Sequence, residues 1–294
     1  MGRAFLITVI LVCSTACTGC RKKDADRPPE IVPIDSEQTN TEPLGLSTYV
    51  CITGPHKISS ITNDASGLAF SPHTRTLFMV INGTCEIIEL DTQGNVRRII
   101  ETSGFSDLEG IAHADKELFY VAEEGRGTVC SIRIENDTES VSRGNSDLFT
   151  VDPASMGNSG IEGLTYDPGR NCLFAVKEKT PRKIYQIRLP HEQADGHTSV
   201  TLPWNIEKTH YGLTDLSGIC CDPDSGNLLI LSHESAALVE ATVRGTEVSR
   251  LRLSAGSSGL DRAVPQAEGI AVDTEGTIYM CSEPNVFYVF RKKK

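Results

Sequence analysis

Glu162-Gly-Leu-Thr-Tyr-Asp-Pro168, followed closely by Leu173-Phe-Ala-Val-Lys-Glu178, is one copy of a pattern that occurs five times in this chain. Each copy has an acidic residue or serine, a glycine and an apolar run, then a turn and a second apolar run that ends in a polar residue. The other copies begin at Ser66, Glu109, Ser217 and Glu268, so successive copies lie 43 to 55 residues apart. Strands in a repeat of this length bury their apolar faces by stacking four-stranded sheets around an axis. The repeat therefore predicts an all-β fold, a β-propeller.

The number of copies predicts five blades. Only a short basic tail follows Phe287-Tyr-Val-Phe290, so the fifth copy lacks its outer strand. A strand-like stretch precedes the first copy, at residues 49–52 or 58–61. If this N-terminal strand pairs with the last blade, it closes the ring and removes an exposed sheet edge. Six blades is the alternative, because insertions after residues 135 or 190 could hide a degenerate copy.

The first 20 residues are typical of an export signal. Arg3 precedes an apolar run that is too short to span a bilayer and ends in small residues. Cys20 follows small residues, as an acylated cysteine does in bacterial lipoprotein signals, although Cys17 is also a candidate. We expect residues 1–20 to be a lipoprotein-type signal peptide, acylated at Cys20 and directed to the outer membrane, with plain secretion as the alternative. Residues 21–45 are rich in charges and prolines, which predicts a flexible tether to a propeller over 46–294.

The composition excludes several classes of function. The net charge of −11 opposes binding to nucleic acid or to an anionic membrane surface. The chain has no Gly-x-Ser-x-Gly elbow, no histidine pair at metal-ligand spacing and no phosphate-binding glycine loop. Seven cysteines lie beyond the leader, an odd number without metal-like spacing, and we expect buried free thiols. The expected partners are the membrane, through the lipid anchor, and a small molecule or an envelope protein, with the protein itself a monomer.

Polar residues flank both strands of each repeated hairpin. In an antiparallel hairpin the start of the first strand and the end of the second meet, so these residues should gather at one mouth of the central channel. The first predicted ring consists of Ser66, Glu109, Glu162, Ser217 and Glu268. The second predicted ring consists of Asn82, Glu123, Glu178, His233 and Glu283. Asp64, Asp107 and Asp215 each lie two residues before a ring position, and they are candidates for groups that support the ring residues or for turn residues.

Six carboxylates around one axis repel one another. Two unit charges about 6 Å apart cost about 3 kcal/mol at an effective dielectric constant near 20. Calcium accepts six to eight oxygen ligands in irregular geometry, so it is the expected cofactor. The predicted metal ligands are Glu109, Glu162, Glu268, Glu123, Glu178 and Glu283, and the predicted ligand-binding residues are Ser66, Asn82, Ser217, His233, Asp64 and Asp215. In the alternative interpretation these are exposed turn residues, and the glycines supply backbone freedom.

The repeated motifs resemble the SdiA-regulated family of bacterial propellers over about residues 47–292. The resemblance rests on five motifs in order: Asp64-Ala-Ser-Gly-Leu-Ala69, Asp107-Leu-Glu-Gly-Ile111, Ile161-Glu-Gly-Leu-Thr-Tyr-Asp-Pro168, Asp215-Leu-Ser-Gly-Ile219, and Glu268-Gly-Ile-Ala-Val-Asp273 with Ser282-Glu-Pro-Asn285. It implies a five-bladed propeller, exported or membrane-anchored, with a calcium site. His233 stands where the family often has aspartate.

Two functions stay open at this point. The favoured one is a binding module that holds a ligand at the channel mouth. The alternative is a metal-assisted hydrolase of phosphoesters or lactones, with Glu162 as the base.

Overall fold

Five sheets surround a central channel in the computed structural model, which describes residues 29–34, 42–151, 160–189 and 198–293. The inner strand of each sheet contacts the inner strands of both neighbouring sheets, and these contacts form a closed ring. The predicted leader and Cys20 lie outside the described residues. Within the described part of the chain, no helix has the length and apolar character needed to cross a membrane.

The strands follow the order of the repeats. The chain enters at a 3₁₀ turn, Leu46–Thr48, and β1 (Tyr49–Lys57). Blade I contains β2 (Ala65–Ser71), β3 (Thr76–Ile81), β4 (Glu86–Leu90) and β5 (Val96–Ser103). Blade II contains β6 (Leu108–Asp115), β7 (Leu118–Glu123) and β8 (Thr128–Arg133); β9 (Ser140–Ser142) then joins blade I, parallel to β5, and β10 (Leu148–Thr150) returns to blade II. A 3₁₀ turn, Arg143–Asn145, lies between β9 and β10.

The remaining blades are regular. Blade III contains β11 (Ile161–Asp167), β12 (Cys172–Lys177), β13 (Lys183–Arg188) and β14 (Ser199–Thr201). After a 3₁₀ turn, Ile206–Lys208, blade IV contains β15 (Gly218–Cys221), β16 (Leu228–Ser232), β17 (Ala237–Ala241) and β18 (Glu247–Arg252). Blade V contains β19 (Ala267–Val272), β20 (Ile278–Ser282) and β21 (Val286–Lys292), with β1 as its outer strand.

The ring closes as predicted. β1 runs antiparallel to β21, with Tyr49 opposite Lys292 and Lys57 opposite Val286. The Tyr49 hydroxyl also donates to the carbonyl of Gly276, at 2.7 Å. Five blades are therefore confirmed. The long insertion after residue 135 forms no sixth blade in its described part, because it supplies edge strands to blades I and II.

The apolar core fills the gaps between blades. The described residues form five hydrophobic clusters, and each cluster joins two adjacent blades. Along β7, Phe119 and Val121 face blade I, whereas Tyr120 and Ala122 face blade III. Both faces of the middle strands are thus buried, which explains why the sequence shows continuous apolar runs there instead of alternating ones.

Part of the predicted tether packs on the propeller. Ile31 forms a parallel bridge with Leu202, and Ile34 is buried in the cluster between blades III and IV. The backbone N–H of Leu44 donates to Glu240 Oε1 at 2.9 Å. Within the segment predicted as a flexible tether, residues 21–45, the described parts therefore contact the propeller, and the side chains of Ile34 and Leu44 are buried there.

The seven cysteines outside the leader carry no disulfide, as expected. Five of them are buried, and Cys51 and Cys85 are half-buried.

Candidate functional site

The repeated glycine after each residue of the first ring allows the inner strands to approach one another. A Cβ on Gly67 would lie 2.5 Å from the carbonyl oxygen of Glu109, and a Cβ on Gly218 would lie 2.5 Å from that of Glu268. Contacts this short are not tolerated between real atoms, so only glycine fits. None of the five repeated glycines has a positive φ. The repeated glycine is therefore needed because neighbouring inner strands lie close together, and not because the backbone needs a positive φ. This close packing brings the first-ring residues near one another.

β-Bulges turn the first-ring side chains toward the channel. The pairing of β6 with β7 shifts between Leu108 and Gly110, so Glu109 is the extra residue. The same shift occurs at Glu162 and at Glu268. A bulge re-aims the side chain of its extra residue. Glu109 and Glu268 are consequently buried at the channel mouth, and Glu162 is half-buried there.

The aspartates before the ring fasten the turns of the mouth. Asp215 accepts hydrogen bonds from the Ser232 hydroxyl and from two backbone N–H groups of the loop after β16. Asp64 accepts a hydrogen bond from Asn63 Nδ2, and its carbonyl accepts the N–H of Asn82. Asp64 and Asp215, predicted as ligand contacts or turn residues, therefore both have a structural role in a turn.

The hairpin register changes one member of the second ring. The residue before each first-ring position pairs with Ile81 in blade I, Glu123 in blade II, Lys177 in blade III and Ser282 in blade V. The ring consists of the residues that come next, which are Asn82, Glu124, Glu178, His233 and Glu283. Glu124 thus takes the place predicted for Glu123, because side chains alternate between faces along a strand.

Glu123 points away from the mouth into a basic environment. Its carboxylate is fully buried and forms ion pairs with Arg126 and, at 2.8 Å, with Arg143. Burial alone would raise the pKa of Glu123, but the hydrogen bonds from Arg143 and Thr128 and the charge of Arg126 outweigh it and lower the pKa. Glu123, predicted as a metal ligand, therefore lies in an ion-pair network with its own counter-charges and outside the group of carboxylates at the mouth.

Three carboxylates gather at one side of the mouth. Ligand oxygens of Asp107, Glu109 and Glu124 all lie within 4.8 Å of one another, and we call this group the acidic cluster. Glu109 accepts hydrogen bonds from the Ser66 hydroxyl and from Asn82 Nδ2. Glu124 Oε1 accepts the N–H of Gly160 at 2.9 Å. Two predicted ring residues, Ser66 and Asn82, therefore hold Glu109 in place.

The acidic cluster continues to Glu162, whose titration depends on the carboxylates of Glu109 and Glu124. Burial, followed by the charges of Glu109 and Glu124, raises the pKa of Glu162 well above its ordinary value. Burial also raises the pKa of Glu109 to about 8, with smaller contributions from Glu124 and Asp107, although the hydrogen bond from Ser66 opposes the rise. Among the described residues, no lysine or arginine forms an ion pair with these carboxylates. Burial and mutual repulsion therefore favour the protonated forms of Glu109 and Glu162 unless a cation compensates their charge.

A second acidic group lies across the mouth, around Glu268. Burial raises the pKa of Glu268 to about 8, and the carboxylate of Glu283 adds to the rise. His233 Nδ1 lies 3.5 Å from Glu268 Oε1 and 3.0 Å from Asp215 Oδ2, but it has no hydrogen-bond geometry to either. The hydroxyl of Ser217 donates to the Ala267 carbonyl at 2.7 Å, so Ser217 is a structural member of the ring.

The outer part of the mouth contains an ion-pair network. Lys179 Nζ lies 2.9 Å from Glu178 Oε1 and 2.7 Å from Glu234 Oε1. Glu178 therefore differs from the acidic cluster, because it has its own counter-charge. The structure brings Glu109 and Glu162 together with two residues absent from the predicted metal set, Asp107 and Glu124. Two consecutive glutamates, Glu123 and Glu124, stand at this position of the sequence, and this pair could have indicated Glu124 as an alternative to Glu123.

Comparisons with known proteins agree with the fold. The family model described as SdiA-regulated matches residues 43–291. A gluconolactonase from Xanthomonas campestris, XC5397, has a similar solved structure, with a TM-score of 0.51 and 13% identity; the match covers 90% of this chain and 98% of that one. A chain of a nidogen/laminin complex is matched with a TM-score of 0.48 and 14% identity, over 75% of this chain and 73% of that one.

Proposed function

This chain belongs to the SdiA-regulated family, and we propose that it is an exported, lipid-anchored propeller that binds a calcium-type cation at the mouth of its channel. The bound cation would hold an oxygen-bearing small molecule or a group on an envelope protein. The observation that carries the proposal is the acidic cluster, in which oxygens of Asp107, Glu109 and Glu124 lie within 4.8 Å of one another.

The chemistry of the acidic cluster fits a hard cation. All its donors are carboxylate oxygens, which calcium prefers, and it contains no cysteine or histidine that would favour a softer metal. Hydrogen bonds from Ser66, Asn82 and the N–H of Gly160 orient the donors and leave other lone pairs free. A divalent cation would also compensate charges that have no lysine or arginine partner among the described residues. Glu162 is the adjoining carboxylate that would complete the set.

The cellular location is part of the proposal. The apolar leader and Cys20 support acylation and export, and the charged composition of the segment that follows supports a spacer at the outer membrane. The net charge of −11 supports a partner other than nucleic acid.

Calorimetric titration of the chelated, mature chain with calcium and with magnesium tests the cation site. We expect saturable calcium binding with one ion per chain, and at least about tenfold weaker binding in Asp107→Asn and in Glu124→Gln. Glu234→Gln is the matched control, because Glu234 is exposed at the same mouth but pairs with Lys179. Absence of bound metal in the wild type, or equal weakening by all three substitutions, would remove the site.

The second candidate function is metal-assisted hydrolysis of a lactone or phosphoester, and the position of Glu162 beside the acidic cluster favours it. A bound cation would polarise the carbonyl or phosphoryl oxygen. For a lactone, the bound cation would favour the ionised form of Glu162, which would accept a proton from water as the water attacks the carbonyl carbon. The ring C–O bond would then break as that proton passes to the departing oxygen. The similarity to the gluconolactonase concerns the fold and makes lactones reasonable substrates to assay first.

A substrate screen with and without calcium separates the two candidates. A hydrolase would turn over a lactone or phosphoester only with the cation, and Glu162→Gln would reduce kcat by about a hundredfold or more. A binding module would bind calcium in the same samples and show no turnover.

A further inference from the structure

The central channel ends in an apolar cavity on the face opposite the acidic mouth. Phe70, His113 and Tyr166 each lie four residues beyond a first-ring residue, which is about 13 Å along an extended strand. These residues and the neighbouring turns line a partly open cavity of about 170 Å³. The inner strands of all five blades contribute to its lining. The two ends of one channel therefore have different chemistry.

The wall of this cavity is uncharged. Leu68, Ile111, Leu164 and Ile270 belong to it, and no aspartate, glutamate, lysine or arginine occurs among the described residues that line it. Burial lowers the pKa of His113, so its imidazole is neutral at physiological pH. The few other polar groups of the wall are hydroxyls and protonated thiols. A charged ligand would lose its hydration here without gaining a counter-charge.

Aromatic rings surround the opening and are held in place by their neighbours. Phe70 stacks against Tyr279 with ring centroids 6.3 Å apart. His113 meets the ring of Phe119 edge to face, with centroids 4.8 Å apart. The Tyr166 hydroxyl donates to Asn171 Oδ1. The opening is thus already arranged for contact with a flat ring.

We propose that this cavity binds one uncharged, single-ring apolar molecule. The volume of the cavity limits the size of the ligand. In another protein, a cavity of about 150 Å³ with leucine, isoleucine and phenylalanine walls stays dry and accepts one benzene. The present cavity of about 170 Å³ has similar walls and leaves room for at most a small substituent. The lining is mainly apolar, which favours an apolar occupant over water. A single hydroxyl or carbonyl on the ring would lie nearest to His113 or Thr165.

Titration of the full chain with benzene, followed by NMR and by thermal unfolding, tests the site. We expect saturable shifts confined to residues of the cavity and a rise in Tm of about 2–4 °C at ten times the Kd. Chelation of calcium should change neither the benzene-induced NMR shifts nor the rise in Tm, because the acidic mouth lies at the other end of the channel.

Two substitutions should abolish the response. Ala114→Trp would cover the opening, where Ala114 is half-buried, and Ala112→Leu would fill the interior. Ala263→Trp adds the same bulk at an exposed position outside the cavity and should respond like the wild type. The proposal would be overturned if benzene gave no saturable response in the wild type, or if folded Ala114→Trp responded as strongly as the wild type. The Ala114→Trp variant tests the proposal even if Ala112→Leu fails to fold.

Discussion

Replacing Glu109 with glutamine should stabilise the metal-free protein at neutral pH. Glu109 is buried among other carboxylates, and its pKa rises from 4.5 to about 8 on folding. The folded state therefore favours the protonated carboxyl. Its contribution to stability is complete below about pH 4.5, declines as the pH rises, and is lost above about pH 8.

The pKa shift gives the magnitude. Between the unfolded pKa and pH 7 lie about 2.5 pH units, each worth about 1.4 kcal/mol, so the need to keep Glu109 protonated costs the metal-free folded state about 3 kcal/mol at pH 7. Glutamine keeps the local contacts, because its oxygen can accept from Asn82 and its amide can donate to Ser66 once that hydroxyl rotates. Glu109→Gln should recover up to this amount in chelator and lose most of the stabilisation by calcium.

Urea unfolding of the wild type and of Glu109→Gln across pH 4.5–9, with chelator and with calcium, measures the difference in their free energies of unfolding. We expect the variant to be the more stable protein in chelator at pH 7–8 and the two proteins to converge near pH 4.5. The ranking should reverse in saturating calcium. A wild type whose stability in chelator does not fall between pH 4.5 and 8, or a variant that is less stable throughout, would refute the reasoning.

Three further predictions concern the register, the closure and the anchor. Glu124→Gln should weaken calcium binding at least about tenfold, whereas Glu123→Gln should leave calcium binding intact and cost about 2 kcal/mol of stability by weakening the pair with Arg143. Calorimetry measures the first effect and urea unfolding the second. Deleting residues 46–62 should give an insoluble or molten product, judged by near-ultraviolet circular dichroism, because β1 completes blade V. Cys20→Ala should abolish lipid labelling and release the protein from the membrane fraction.

Each of these experiments has a matched control. Deleting residues 21–28, outside the described contacts, should leave Tm unchanged, and equal stability of the two deletions would contradict closure by β1. A loss of calcium binding in Glu123→Gln alone would contradict the hairpin register. Cys17→Ala distinguishes the two candidate acylation positions, and a wild type without a lipid label would show the leader to be an ordinary signal.

Much of the architecture could be predicted because the repeat encodes local and periodic information. The apolar runs, the turn residues and the repeated glycine identify the strands, their hairpins and the number of blades. Even the closure of blade V follows from counting strands, since an unpaired edge needs a partner. The first ring could be placed for the same reason, because Glu109, Glu162 and Glu268 occupy one position in a repeated hairpin.

The sequence by itself determined the five-bladed ring and the acidic character of its mouth. The tertiary structure decided which carboxylates meet there. Bulges set the hairpin register, and a difference of one residue moves a side chain to the opposite face, so Glu123 pairs with arginines and Glu124 joins the acidic cluster. Contacts between distant segments, such as Ile34 with blades III and IV and the five strand ends around the apolar cavity, depend on packing in three dimensions, which no local pattern encodes.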